Sequence, residues 1–215
     1  IYNPYLNIQN YDIITNGDQT NTIYDFVKKD LKDEFAFERA LNTREFEPDS
    51  PNFTPRISGI INYGKEDFTY KLSILKSANG NPEVCNRYFY SYLPLAGFGH
   101  FIHTYECDGN PIPSFYGEPE RVVLPNTATE LAEICWNNLN EDNKVSLFVR
   151  VVNLENGKAE LQLEAQSIPH GGQGRLPRKI HTGNGFFFKT QFSHSVFSCL
   201  ICCRPRLKQG TESVL

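Results

Sequence analysis

The sequence lacks the features that mark membrane proteins and the common nucleotide-dependent enzymes. No stretch approaches the roughly 20 apolar residues that a membrane-spanning helix needs, and the longest candidate, Val196 to Cys203, is far too short. The glycine patterns of dinucleotide-binding turns and Walker loops are absent, as are G-x-S-x-G and H-E-x-x-H. These absences argue against those enzyme classes and against a membrane span.

Methionine is also absent from the 215 residues. The initiator is therefore missing, and a start at a strand-like Ile-Tyr favours a fragment of a longer protein. Six cysteines are scattered through the chain. Cys199-x-x-Cys202 has the spacing of a metal or redox pair, but no second pair with zinc spacing exists, so we expect free thiols and no metal. Free thiols are typical of cytosolic proteins, which predicts a cytoplasmic location.

Charge is distributed unevenly about residue 165. Residues 165–215 contain seven lysines and arginines and one acidic residue, a net charge of +6, whereas residues 1–164 carry −10. We therefore expect a folded domain over 1–164 and a basic, poorly ordered extension over 165–215. Such an extension could act as an adaptor for nucleic acid or an acidic membrane. It lacks the interleaved aromatic and basic residues of nucleic-acid modules, so we expect neither partner.

Apolar periodicity and turn residues predict an α+β fold with antiparallel hairpins rather than alternating βαβ units. The predicted elements are an extended stretch over 1–15, a helix beginning near Thr20 or Thr22, a second helix near residues 35–41, a hairpin of 57–63 with 68–75, a strand over 99–106, a helix over 127–138 and a hairpin of 144–153 with 158–164. The capping box Thr127-x-x-Glu130 and the turn Asn156-Gly157 support the last two.

Two polar segments could carry chemistry. Residues 16–23 read Asn-Gly-Asp-Gln-Thr-Asn-Thr-Ile, which fits a turn and helix cap but also an anion site at a helix N-terminus. Residues 43–57 interleave two arginines and three carboxylates with three prolines. This segment could be an ordinary surface loop. Alternatively, its arginines could bind phosphate and its carboxylates could move protons.

These two segments, together with Asn3-Pro4-Tyr5, resemble the IMP cyclohydrolase family of archaea and its bacterial homologues. The block from Arg44 to Gly59 is the most specific, and Gly99–Tyr105 with Asn110–Phe115 is also similar to the family. The resemblance extends over about residues 1–160. The family begins upstream of Asn-Pro-Tyr, so the resemblance implies that an N-terminal part of the domain, with part of the substrate site, is missing here.

The resemblance implies a four-layer αββα fold like that of N-terminal-nucleophile hydrolases, with mainly antiparallel sheets. It also implies the reaction: closure of 5-formamidoimidazole-4-carboxamide ribotide to IMP with loss of water, the last step of de novo purine synthesis. No metal or organic cofactor is expected. The expected partner is the phosphoribosyl precursor or IMP, and the expected assembly is a homo-oligomer.

The candidate residues follow from the resemblance and from the chemistry of ring closure. Glu47 is the expected proton carrier, and Arg56 and Arg44 are expected to bind phosphate or a developing oxyanion. Tyr5 is also expected to be catalytic and, with Asn16 and Thr54, to orient the base and ribose. The further residues expected to bind the substrate are Asn3, Asn52, His103 and Tyr105. A surface pair on the sheet is the alternative for His103 and Tyr105, and a non-catalytic purine-nucleotide-binding protein is the alternative for the whole chain.

Overall fold

The computed structural model describes residues 2–63, 69–139, 141, 144, 146–152, 159–165, 188–191 and 196–199. These residues form an α+β fold that is mostly antiparallel strand. The helices are α1 (Gln19–Lys29), α2 (Ala36–Asn42) and α3 (Ala128–Asn138). The strands are β1 (Tyr5–Ile8), β2 (Tyr11–Thr15), β3 (Arg56–Asn62), β4 (Thr69–Ala78), β5 (Asn81–Tyr92), β6 (Phe98–Phe101), β7 (Glu120–Val123), β8 (Ser146–Val152), β9 (Ala159–Ala165), β10 (Phe188–Gln191) and β11 (Val196–Cys199).

The largest sheet is an antiparallel meander in the order β1-β2-β3-β4-β5. Adjacent residues of β2 serve opposite faces, because successive side chains of a strand alternate. Ile13 packs in the core beneath α1 and α2, together with Ile23, Phe37 and Leu41. Ile14 packs in a second core on the other face. The sheet is therefore covered on both sides.

The second face of this sheet meets β8. Phe148 packs against the core that contains Ile14, and Arg150 forms an ion pair with Asp12 at 3.0 Å. Both partners of this ion pair have fully buried side chains. The opposite side of β8 supplies Leu147 and Val149 to a third core with α3.

The helix α3 begins as its sequence predicts. The Thr127 side chain accepts a hydrogen bond from the Glu130 backbone N–H, and Glu130 accepts one from the Asn126 backbone N–H. The first contact satisfies one N–H group that a helix start leaves without a partner, and the second ties the Glu130 side chain to the residue before the N-cap. The hairpin of β8 with β9 is confirmed, with Val152 opposite Ala159, while its turn lies outside the described residues.

The elements expected from the sequence differ from the structure at three points. Residues 1–15 form the hairpin of β1 and β2 instead of one extended stretch. The predicted strand 99–106 ends at Phe101. Strands β5 and β7 were not predicted; β5 begins Asn-Pro-Glu and shows little alternation in its first half.

Strands β10 and β11 lie after residue 165. They pair with each other, and β10 pairs with β8. The division of the chain at residue 165 into a folded domain and a poorly ordered extension stays a prediction.

No helix in the described part of the chain is long and apolar enough to cross a membrane.

Candidate functional site

The candidate site lies where β2 passes into α1. Thr15 and Thr20 both donate side-chain hydrogen bonds to the Gly17 carbonyl, at 2.7 and 3.0 Å. These contacts fold residues 15–20 into a tight, largely buried turn. Asp18, at the helix N-cap, is the exposed residue of this turn and makes no side-chain capping bond. Its carboxylate is therefore directed to other partners.

Asn16 joins this turn to β3. Its Oδ1 accepts hydrogen bonds from the Ile57 backbone N–H at 2.9 Å and from Gln19 Nε2 at 3.2 Å, and its Nδ2 donates to the Pro55 carbonyl at 2.7 Å. The amide is buried and engaged on both sides. Asn16 thus fixes the position of the turn, while its predicted contact with substrate stays a prediction.

Arg56, the first residue of β3, is the centre of the site. Its Nη1 donates to Asp18 Oδ1, to Gln19 Oε1 at 2.9 Å and lies 3.0 Å from Glu47 Oε1. Arg44 Nη2 donates to the same Asp18 oxygen. The structure therefore brings together three of the predicted residues, Glu47, Arg44 and Arg56, with Asp18 and Gln19 added. We call these five residues the arginine–carboxylate cluster.

A glycine lies directly beside this cluster. A Cβ built on Gly17 would lie 2.5 Å from Gln19 Oε1, 2.7 Å from Arg56 Nη1 and 3.1 Å from Glu47 Oε1. Real Cβ atoms essentially never approach other atoms within 3.0 Å. A side chain at position 17 would therefore displace the ends of the Gln19 and Arg56 side chains, so the turn packs directly against the cluster.

The pKa values of the two carboxyl groups of the cluster are shifted in opposite directions. Burial raises the pKa of Glu47 above its usual value, and Asp18 and Asp49 add to the rise against the lowering effect of Arg56. Burial also acts on Asp18, but the hydrogen bonds and charges of Arg44 and Arg56 outweigh it and lower the pKa of that carboxyl. Neighbouring groups with separated pKa values are suited to acid–base work. Glu47, whose side chain is 35 % exposed, is the proton carrier that this arrangement favours.

Tyr2 belongs to the site and was missed from the sequence. Its hydroxyl donates to the Asn16 carbonyl at 2.6 Å. Burial and the nearby Glu47 charge raise its pKa to about 12, with Arg56 opposing them. The charges of both Glu47 and Arg56 therefore act on the Tyr2 hydroxyl. Tyr2 stands directly before the Asn-Pro-Tyr motif and is not part of it, so the motif did not indicate this residue.

The proline-rich loop closes one side of the site. Asp49 accepts hydrogen bonds from the Thr54 backbone N–H at 2.6 Å and from its hydroxyl. The Thr54 hydroxyl also pairs with the Tyr105 hydroxyl, and Asn52 Oδ1 accepts from the Ile112 backbone N–H at 3.1 Å. A hydrogen bond from Glu47 N–H to the Thr54 carbonyl, at 2.9 Å, joins this loop to the cluster.

Three predicted residues lie apart from the cluster in their contacts. The Tyr5 hydroxyl donates to Asp12 at 2.7 Å, and Asn3 is exposed. His103 Nδ1 donates to the Tyr105 carbonyl at 2.6 Å, and its ring lies edge-on to Phe115 with centroids 4.4 Å apart. Since β6 ends at Phe101, His103 and Tyr105 do not share a strand face as predicted. Their roles in binding stay predictions.

A polar depression of about 350 Å³ opens beside the cluster. Its lining includes Arg44, Arg56 and Arg87, with Asn42 and Thr43 at the end of α2. A larger cavity of about 630 Å³ involves the opposite ends of β3 and β4, around Asn62 and Thr69. The smaller one is chemically relevant, because it is the one that contacts the cluster.

The arrangement can bind an anion and move a proton. Two guanidinium groups converge on one carboxylate oxygen of Asp18, a geometry that a phosphate or oxyanion oxygen can also adopt. No group of three or more His, Cys, Asp or Glu suited to a metal ion occurs among the described residues. No curated protein sequence matches the chain. The family model described as IMP cyclohydrolase-like protein matches residues 1–157, and the chain belongs to this family.

Proposed function

We propose that the chain is an IMP cyclohydrolase. It converts 5-formamidoimidazole-4-carboxamide ribotide to IMP and water, as the final step of purine synthesis. The observation that carries the proposal is the contact of Arg56 with both Glu47 and Asp18 in a chain of this family. Ring closure needs a proton carrier beside a cation, and this cluster supplies both.

The first step joins two ends of the same substrate. The carboxamide nitrogen attacks the formyl carbon, a C–N bond forms and the formyl oxygen gains negative charge. Arg56, held beside the proton carrier, stabilises that charge. Glu47 accepts the proton that the nitrogen releases.

The second step expels water. Glu47 returns its proton to the oxygen of the ring intermediate and so forms a hydroxyl group. The C–O bond then breaks, the hydroxyl takes the proton of the former formamido nitrogen and leaves as water, and the double bond forms between that nitrogen and the former formyl carbon. A carboxyl whose pKa lies above its usual value is a better proton donor near neutral pH, and burial gives Glu47 this property. No covalent nucleophile takes part.

Substrate binding uses the groups around the cluster. Asp18 is 54 % exposed and occupies the position between the two arginines that an anionic group of the substrate can take. Arg44 then contacts this anionic group. Thr54 of the proline-rich loop and Tyr105, which are joined by a hydrogen bond, orient the base and ribose. Tyr2, with its hydroxyl protonated, contributes a further polar group.

We also infer the four-layer αββα arrangement, in which two sheets pack face to face between helices. The supporting contacts run from α1 and α2 through the first sheet to Phe148 of β8, and from the other side of β8 to α3. The site lies at the ends of β2 and β3 in this arrangement. A homo-oligomer of this unit is part of the proposal.

One paired experiment tests the function. The 215-residue protein is incubated with the formamido ribotide, and the formation of IMP is followed by the rise in ultraviolet absorbance. IMP binding is measured in parallel by calorimetry. Turnover supports the proposal. Binding of IMP without turnover would instead indicate a non-catalytic purine-nucleotide-binding protein, and a chain with neither property would refute both.

A further inference from the structure

Arg87 lies beside the site without belonging to the cluster. Across the first sheet, Arg56 is opposite Leu75, and Leu75 is opposite Arg87. Directly opposed residues of antiparallel strands project to the same face, and Leu75 packs in the core beneath the helices. Arg56 and Arg87 therefore reach the same side of the sheet, two strands apart.

Arg87 contacts the segment after α2 and the main chain of its own strand. Its Nη2 donates to the Arg44 carbonyl at 2.8 Å, and its Nη1 donates to the Cys85 carbonyl at 3.2 Å. A longer ion pair, at 3.9 Å, joins it to Glu45. A charged donor makes a stronger hydrogen bond to a carbonyl than a neutral donor does. Arg87 thus ties residues 44 and 45 to β5.

The neighbouring Cys85 supports the same segment. Burial raises the pKa of its thiol, while the Arg87 charge and a backbone hydrogen bond with Phe46 act in the opposite direction. The segment is thus held to β5 by the contacts of Arg87 with residues 44 and 45, and the half-buried Cys85 lies beside it. Its next anchor is the hydrogen bond from Glu47 N–H to the Thr54 carbonyl.

We propose that Arg87 is a positioning residue that holds the main chain of residues 44–46 against β5. In this place, the Arg44 side chain meets Asp18 and lies beside Arg56. Arg44 is only a quarter exposed, and its side chain must cross from the end of α2 to the start of α1. A segment released from β5 would leave Arg44 without a fixed direction. The catalytic consequence rests on the proposed function, whereas the contact itself does not.

Hydrogen exchange tests the contact in the 215-residue protein. In Arg87→Ala, the backbone amides of residues 44–47 should exchange about tenfold faster than in the wild type, because local opening becomes easier. Arg87→Lys keeps a cation that can donate to the Arg44 carbonyl and should restore most of the protection. Arg121→Ala, an exposed strand arginine remote from this segment, is the matched control. Unchanged exchange in Arg87→Ala would overturn the proposal.

Kinetics test the consequence for Arg44. Arg87→Ala should raise KM about tenfold and change kcat less than twofold, because it weakens substrate binding rather than the chemical step. The double variant Arg44→Ala/Arg87→Ala should have the same KM as Arg44→Ala alone, since Arg87 acts through Arg44. Additive effects, or an unchanged KM, would overturn the positioning role.

Failure of the proposed function and failure of the positioning role of Arg87 would give different results. If the wild-type protein does not turn over the formamido ribotide, the proposed function fails, and the exchange measurement alone decides the role of Arg87. Should Arg87→Ala fail to fold, Arg87→Gln removes the charge but keeps a donor, and the same comparison is made with it.

Discussion

Two ion-pair clusters in the described part of the chain both join arginine to acidic side chains, but they differ in their exposure to solvent. Between the first sheet and β8, Asp12 and Arg150 are completely buried. The Tyr5 hydroxyl and Asn7 Nδ2 donate to Asp12 Oδ1, at 2.7 and 2.9 Å. In the arginine–carboxylate cluster, by contrast, Asp18 and Glu47 are partly exposed while Arg56 is buried.

We expect this difference in solvent exposure to distinguish an ion pair that stabilises the fold from a cluster that binds ligand and transfers protons. Charges without access to water depend wholly on their partners, so removing one partner is costly. Partly exposed carboxylates can be solvated or can meet a ligand. The Asp12–Arg150 pair is therefore expected to serve stability, and the cluster around Arg56 to serve binding and proton transfer.

The largest expected effect is on the buried pair. Arg150→Met leaves the Asp12 carboxylate buried and without its cation, which should lower the free energy of unfolding by about 3–5 kcal/mol. Chemical denaturation measures this loss. Asp12→Asn combined with Arg150→Met removes the unpaired charge but keeps an acceptor for Tyr5 and Asn7, so it should recover much of the stability. A neutral effect of Arg150→Met would contradict the comparison.

Next in size is the change at Arg56. Arg56→Ala should lower kcat by about 10²–10³-fold, because the developing oxyanion loses its charged donor. Its free energy of unfolding should fall by about 1–3 kcal/mol, because the buried Gln19 Oε1 loses this donor, a smaller loss than that expected for Arg150→Met, since water can solvate the carboxylates that remain. Steady-state kinetics and thermal melting are compared on the same preparation. A large fall in melting temperature with kcat per folded molecule preserved would reverse the roles that we assign to the two arginines.

A smaller effect is expected at the turn. Gly17→Ala places a methyl group against Gln19 Oε1 and Arg56 Nη1. These atoms are the ends of flexible side chains that can move aside, so the cost in stability should be small, but the shift of Arg56 should lower kcat/KM about tenfold. Gly80→Ala, at an open position with positive φ, is strained without touching the site and is the control for stability. Equal activity of both variants would argue against close packing at position 17.

The smallest expected effect is a shift in pH dependence. The rate should fall as pH drops through the pKa of Glu47, because the proton acceptor must be ionised. Asp18 raises this pKa, and Arg44 and Arg56 lower it. Asp18→Asn removes the first effect and frees the two arginines, so the acid limb of kcat/KM should move to lower pH. A limb that stays in place, or moves upward, would exclude Glu47 as the titrating group.

The sequence was informative where the signal is local. The capping box of α3, the β3–β4 pairing and the apolar stripes of α1 and α2 follow from patterns within about 20 residues, and the structure agrees with them. The Arg44–Ile57 block likewise supplied Glu47 and both arginines of the cluster. Their proximity to Asp18 did not follow, because it depends on the pairing of β2 with β3.

The parts that the sequence did not predict depend on distant contacts. Arg150 is 138 residues from Asp12, so no local pattern could indicate their pairing. Tyr5 was predicted in the site from its motif, yet in the structure its hydroxyl donates to Asp12. Arg87 was not predicted for the same reason. Its hydrogen bond to the Arg44 carbonyl depends on the position of β5 beside the segment after α2.

Glu47→Gln provides the most direct test of the central claim that the arginine–carboxylate cluster closes the purine ring. The variant keeps the shape of the side chain but cannot carry the proton. It should turn over the formamido ribotide about 10²–10⁴-fold more slowly than the wild type and still bind IMP. Glu133→Gln, an exposed position on α3, is the matched control and should behave as wild type. Turnover by Glu47→Gln at the wild-type rate would contradict the account.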